Sequence, residues 1–329
     1  MKRFGILLGF VFLMVSVSVS AETTTLIDFS ELTADTEDGN NEATLVDFSD
    51  KAGPGYTEEE RELMVTSLAI ENWDVQLASS AQTTQNMRLS YTLEAPVRED
   101  AQRFAGQTVM GIRVHFPDMP FNSYAKVFPP FEIPAYAREN EQDREGGKYD
   151  GYGVVKNVGS LKQVSVNVYG SNYPNGFGVI LQDEEGRERT LFLDYMDFNG
   201  WRELGWVNPN YIEDVQNREL TKRPLYPRLT PYRKLIGFVV YKDSQQEGGD
   251  VITYVKDVNL TYDLAQLPSA GAFDNEEIWG ILEEREASRR NAEWSRLGEL
   301  QVLRALERRK LHQDEEEQAQ NGGANGGGE

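Results

Sequence analysis

The sequence predicts a mostly β chain, an antiparallel β-sandwich of jelly-roll type followed by a charged amphipathic helix at the C-terminus. Three observations carry this. Short runs alternate apolar and polar residues, Gly, Pro and Asn punctuate them, and no helical segments are interleaved before about residue 268. With 39% hydrophobic residues in 329, the chain has material for one large core, and sandwiches run to about 250 residues as one domain.

The chain opens with an export signal. Lys2 and Arg3 give a positive start, Phe4 to Val15 an apolar run, and Val19-Ser20-Ala21 a small-residue cleavage site. Residues 1–21 therefore read as a secretory signal peptide cut between Ala21 and Glu22. The apolar run is too short for a membrane span, and no later segment is apolar enough to make one. The exported part begins with an echo: Thr25-Leu26-Ile27-Asp28-Phe29-Ser30 returns as Thr44-Leu45-Val46-Asp47-Phe48-Ser49. Two copies are too few for a solenoid and suggest a local hairpin or a duplicated edge strand.

From Met64 to Tyr262 strand patterns dominate. Val164, Val166 and Val168 alternate with polar residues, and Ile252, Tyr254, Val258, Leu260 and Tyr262 read as one buried face. Leu235 to Tyr241 is apolar on both faces, so it should be a central strand covered on each side. Further strands are expected at Met87 to Leu93, Thr108 to Phe116, Phe177 to Gln182 and Thr190 to Asp194, with Asp183 to Gly186 as a hairpin turn. Pro117 to Pro134 and Asn208 to Pro231 are so Pro-rich that they read as long ordered loops. The sandwich domain is thus expected over 22–268.

After Pro268 the composition shifts. Asp274 or Asn275 can cap a helix whose first turn carries Glu276 and Glu277, giving a helical arm over 269–313. Its apolar residues fall into two patches, Ile278 to Leu282 and Trp294 to Leu306, separated by a charged run. Such a gap suggests that one patch faces a partner, with Trp294, Leu297, Leu300, Leu303 and Leu306 as candidate contacts. The alternative is a helix packed on its own domain. Residues 314–329, acidic and then Gly-rich, are expected to be disordered.

Composition excludes much chemistry. There is no Cys, which removes disulfides and thiolate metal sites, and His115 and His312 are too isolated for a His cage or triad. A formal charge of −21 argues against nucleic acid. Asp194, Asp197 and Glu203 lie near aromatic residues as glycosidase carboxylates do, but in so acidic a chain they read as solvated turn residues. Asp35, Glu37, Asp38 and Glu42 lack the spacing of an EF-hand, and no phosphate loop precedes a helix. No catalytic, cofactor-binding or metal-binding residue is expected.

The most distinctive stretch runs from Leu191 to Trp206. It reads as two strands flanking an Asn199-Gly200 turn, with Tyr195, Trp201 and Trp206 as an aromatic cluster. The pattern resembles the jelly rolls of carbohydrate-binding modules, where rings stack on sugars. The other reading places at least one Trp in the core.

Several motifs together resemble a more particular family. These are Thr25 to Phe29, Ile70-Glu71-Asn72-Trp73, Val168-Tyr169-Gly170-Ser171-Asn172-Tyr173-Pro174-Asn175, Asn199-Gly200-Trp201-Arg202 and Leu235-Ile236-Gly237-Phe238-Val239-Val240. They are similar to the spirochaete flagellar filament outer-layer (sheath) proteins, the FlaA family, over roughly Leu26 to Asp263. That resemblance implies a structural, non-enzymatic protein of the periplasmic flagellum. Its partners would be the flagellin core and copies of itself, and it would contribute filament stiffness and shape for motility. The alternatives are an exported carbohydrate-binding module stacking sugar on Trp201 and Trp206 and, last, a periplasmic glycosidase.

Overall fold

The computed structural model describes residues 21–32, 46–51, 54–62, 64–136, 152–211, 231–265 and 275–323. Along these run β1 (Glu22–Asp28), β2 (Val46–Asp47), β3 (Val65–Thr66), β4 (Asp74–Leu77), β5 (Tyr91–Pro96), β6 (Thr108–Phe116) and β7 (Ser123–Phe128). Then come β8 (Val154–Lys156), β9 (Val158–Ser171), β10 (Gly176–Asp183), β11 (Glu188–Tyr195), β12 (Asn199–Val207), β13 (Tyr232–Lys242) and β14 (Gly249–Leu264). A long helix, Ile281–Gly323, follows a short one, Asn275–Trp279.

Two antiparallel sheets make a sandwich. The first is ordered β12-β9-β14-β6-β5 and the second β11-β10-β13-β7-β4. Each contains one long strand whose free edge is shared by two shorter strands. Along β14, β6 pairs with Gly249 to Val255 and β1 with Asp257 to Tyr262. Along β13, β8 pairs with Tyr232 to Lys234 and β7 with Phe238 to Lys242. The doubly apolar run from Leu235 is thus the central strand the pattern implied. Between the sheets lies a core of Val, Leu and Ile around Phe238, on which Trp73 and Phe177 stack, with Phe29 edge-on to Trp73.

Four expectations change. The stretch from Met87 splits, because Thr83 caps a helical turn at Thr84–Leu89 by accepting from the Asn86 N–H, and the strand begins only at Tyr91. The loop from Pro117 to Pro134 contains β7, with prolines confined to its flanks where no ladder hydrogen bond is required. Asn199-Gly200 does not close a hairpin, since β11 and β12 belong to different sheets. Most of Asn208 to Pro231 lies outside the described residues.

The fourth change concerns β14, whose pairing with β9 slips between Val255 and Val258. A bulge inserts a residue and switches which parity faces inward. Val251, Thr253 and Val255 are buried before it, and Val258, Leu260 and Tyr262 after it. Ile252 and Tyr254, read as core from unbroken alternation, are only half-buried and belong to the opposite parity.

The echoed sequences do not pair with each other: β1 joins β14 and β2 joins β3. They repeat a turn instead. Asp28 accepts from the Ser30 N–H at 2.9 Å, and Asp47 accepts from the Ser49 N–H at 2.8 Å. Each Asx-type turn plants the intervening Phe29 or Phe48 in the interior.

Candidate functional site

Three surfaces carry the residues singled out by sequence. The first is the outer face of the β12-β9-β14 sheet, where Trp201, Tyr169 and Tyr254 stand across three neighbouring strands. Trp201 is half-buried there, outside the core cluster. Its ring meets Phe104 at 4.9 Å and Tyr169 at 5.5 Å, and Tyr169 meets Tyr254 at 5.8 Å, all near perpendicular. Phe104 reaches this row from the β5–β6 loop with a φ of 57°, a left-handed backbone that a bulky residue adopts only when contacts compensate for the strain. Arg103, which lies 4.9 Å from the Phe104 centroid, donates to Asn167 of β9 and ties the loop down.

Tyr195 belongs to a different surface. It lies at the end of β11 in the other sheet, exposed, 5.3 Å from Phe192 and donating its hydroxyl to Asp243. Gly176 makes room for this group, since a Cβ there would stand 2.6 Å from the Phe192 ring. Trp206 lies on neither of these surfaces. It packs partly against the core beneath the Arg189 guanidinium, and lines a cavity of about 360 Å³ with Arg187, Arg233 and Tyr211. Tyr195, Trp201 and Trp206 thus do not converge. Their nearness in sequence spans a crossing from one sheet to the other.

The third surface is the C-terminal helix. Trp294 and Leu297, 4% and 1% exposed, join the domain's own core cluster, where Trp294 packs 6.4 Å from Phe48, itself against Phe131. Leu300, Leu303 and Leu306 are 38%, 55% and 38% exposed. The five candidate contacts therefore divide. In the first patch Ile278 and Trp279 are exposed. The helix also runs through Gly323, into the stretch expected to be disordered.

A charge lattice seats this helix. The buried Lys234 ammonium reaches Glu132 at 2.9 Å and Glu293 of the helix at 3.3 Å, while Arg296 of the helix pairs with Glu132. Arg289 donates to the Glu184 carbonyl, and Arg233 pairs with the Glu184 carboxylate. Burial pushes the Glu132 carboxyl up, but Lys234 and Arg296 outweigh it and hold it below its ordinary value. Burial also raises Asp28, and there the Lys256 ammonium and the Ser30 hydrogen bonds outweigh it. Sequence reading passed over both lysines. Each stands beside a second charged residue, Arg233 or Asp257, so the local pattern alone does not mark it as buried.

The remaining candidates are dispersed. Asp194, Asp197 and Glu203 are exposed, with Asp194 and Glu203 on strands of different sheets. His115, on β6, holds its Nδ1 2.8 Å from Asp250, which also takes the Arg113 fork. The side chain of His312 and the acidic group from Asp35 to Glu42 lie outside what is described. Among the described residues no group of three His, Cys, Asp or Glu could hold a metal ion, and no helix is long and apolar enough to cross a membrane.

Known proteins resemble this chain to very different degrees. In fold, the chain is similar to TmCBM61, solved with beta-1,4-galactotriose, at 11% identity and a TM-score of 0.28, covering 58% of this chain and 88% of that one. It is also similar to a family 11 carbohydrate-binding module of Clostridium thermocellum at 9% and 0.26, again covering 58% and 88%. Likenesses this slight carry nothing about a ligand. Sequence relatives are far nearer. The flagellar filament outer layer protein of Spirochaeta aurantia is 45% identical, with 94% of each chain covered. That of Treponema pallidum is 41% identical over 94% of this chain and 95% of its own. That of Borreliella burgdorferi is 31% identical over 78% and 74%. All three cover more of the chain than the stretch from Leu26 to Asp263 on which the resemblance rested. With the family model for the flagellar filament outer layer protein Flaa matching residues 37–270, the chain belongs to that family.

Proposed function

We propose that this chain is a non-enzymatic structural subunit of the outer layer of a periplasmic flagellar filament. On this reading it is laid over a flagellin core, beside copies of itself, and stiffens and shapes the filament. The observation that carries the reading is the 45% identity to the Spirochaeta aurantia outer layer protein over 94% of both chains. The surfaces suit the role: broad sheet faces and a long helix, with the candidate carboxylates dispersed rather than gathered in a cleft. A coat subunit needs many weak contacts rather than one deep site. Export is part of this reading, because residues 1–21 carry the pattern of a cleaved signal peptide.

Antibody to the chain should decorate isolated periplasmic flagella, and a deletion strain should keep its filaments but make them thinner. Absence of any filament would assign the chain to the core, and an unchanged diameter would remove it from the outer layer. N-terminal sequencing of the native protein should begin at Glu22.

One observation favours a second reading, a glycan-binding face: Trp201 stands on a sheet surface rather than in the core. Against it, the rings of that row meet edge to face, so they cover one another's faces instead of offering them to sugar. Soluble glycans should leave the Trp fluorescence unchanged, and a titratable quench lost in Trp201→Ala would reverse the ranking.

A further inference from the structure

The C-terminal helix carries a second stripe opposite the one it buries. Trp294, Leu297 and Gln301 face the domain. At about 100° per residue, Glu299, Leu303, Leu306 and Lys310 fall on one line about half a turn round from them. All four are exposed. Their spacing of four, three and four residues is that of a helix–helix seam, with two Leu at its centre. Its ends carry opposite charges.

We infer that this stripe is a contact between two copies of the chain, made by their C-terminal helices packed antiparallel. The charge order selects the occupant. A two-fold axis passing between Leu303 and Leu306 sets each Leu303 against the other copy's Leu306, and each Glu299 against the other copy's Lys310. A parallel pair would instead oppose Glu299 to Glu299 and Lys310 to Lys310. The stripe is therefore complementary to itself in one direction only, as an isologous contact requires. Because each domain lies on the far side of its own helix, the two sandwiches are held apart by the helix pair. Two leucines a side make a small seam, well under the roughly 800 Å² per partner of a stable complex. It is a weak contact, which gains strength when many subunits are held along a common support. The contact involves no filament core, so it can be tested in solution.

Charge swapping by sedimentation equilibrium of the purified exported chain tests it. Glu299→Lys alone and Lys310→Glu alone should each weaken self-association about tenfold, since each sets like charges at both ends of the seam. An equimolar mixture of these two variants should recover affinity to within about threefold of the unaltered chain. Leu303→Glu should abolish association while leaving the thermal midpoint unchanged, because its side chain is not part of the core. Unchanged association in the single variants would overturn the contact, and weakened singles without recovery in the mixture would overturn the antiparallel order. The native chain has no Cys, so Leu303→Cys mixed with Leu306→Cys should form disulfide dimers faster than either variant alone. Equal rates in all three samples would likewise overturn the register. Decoration of filaments by antibody is independent of all these results, so the outer-layer reading stands or falls separately.

Discussion

One six-residue phrase builds two aromatic clusters of different character. Phe29, in the first copy, sits between the sheets against Trp73 and Phe238, 5.3 and 5.9 Å away. Phe48, in the second copy, sits beneath the C-terminal helix against Phe131 and Trp294, 6.3 and 6.4 Å away. The local turn is the same, and so is the burial of the ring. The closure differs. The first cluster is sealed by strands on both sides, whereas the second is sealed by a helix that charged residues hold in place. A repeated local instruction thus sets the side chain's direction, and the surrounding topology decides what covers it.

The largest effect should come from opening the first cluster. Trp73 is 4% exposed, its indole N–H donates to the Leu68 carbonyl at 2.9 Å, and its ring stacks on Phe238. Trp73→Ala should cost about 3 to 5 kcal/mol, through the cavity and the carbonyl left unpaired. Chemical denaturation is the measurement. A loss below about 1 kcal/mol would mean that the rings collapse into the gap and that the interior is less fixed than its ring geometry indicates.

Opening the second cluster should cost less and act locally. Trp294→Ala removes a comparable ring, but the helix can leave without disturbing either sheet, so about 2 to 3 kcal/mol is expected. Proteolysis should then cut within residues 281–323 well before the sandwich unfolds. This sharpens the contrast with Trp73→Ala, which should expose sandwich and helix together. Simultaneous cleavage in both variants would make the helix an inseparable part of the domain core.

The same contrast explains what could be read from sequence. Alternation located β6, β9, β10 and β13 well, because each keeps one parity or is apolar on both faces. It failed on β14, where Lys256 and Asp257 look like one more polar pair but mark a bulge that turns Tyr254 outward. Within the helix, spacing identified an apolar stripe over Trp294 to Leu306 and could not divide it. The division falls after Leu297 and depends on what the domain sets beneath the helix, where Phe131 packs on Phe48 and Phe48 on Trp294 from more than 160 residues upstream. Likewise Tyr195, Trp201 and Trp206 are close in sequence and apart in space, because the step from β11 to β12 crosses between sheets and an odd spacing of five sets the two Trp on opposite faces of β12.

Acid should separate the two clusters by the smallest effect. Glu132, which pairs with Lys234 and with Arg296 of the helix, is held below its ordinary value of 4.5 in the folded chain. A carboxyl depressed in the folded state contributes stability that is complete above its unfolded value and is lost as pH falls through its folded one. Helix docking should therefore weaken as pH drops below about 4.5. Asp28, beside Lys256 in the sandwich, starts from 3.8 and is also lowered, so the sheets should yield later. The expected sequence on acidification is a change in Trp294 fluorescence and protease access within 281–323, followed by loss of sheet signal. Glu132→Gln removes the titrating group, so the variant should show weaker docking at neutral pH and a flatter response to acid. If the variant and the unaltered chain have equal slopes between pH 5 and 3, Glu132 is not what holds the helix, and the charge lattice orients the contact made by Phe48 and Trp294 without stabilising it.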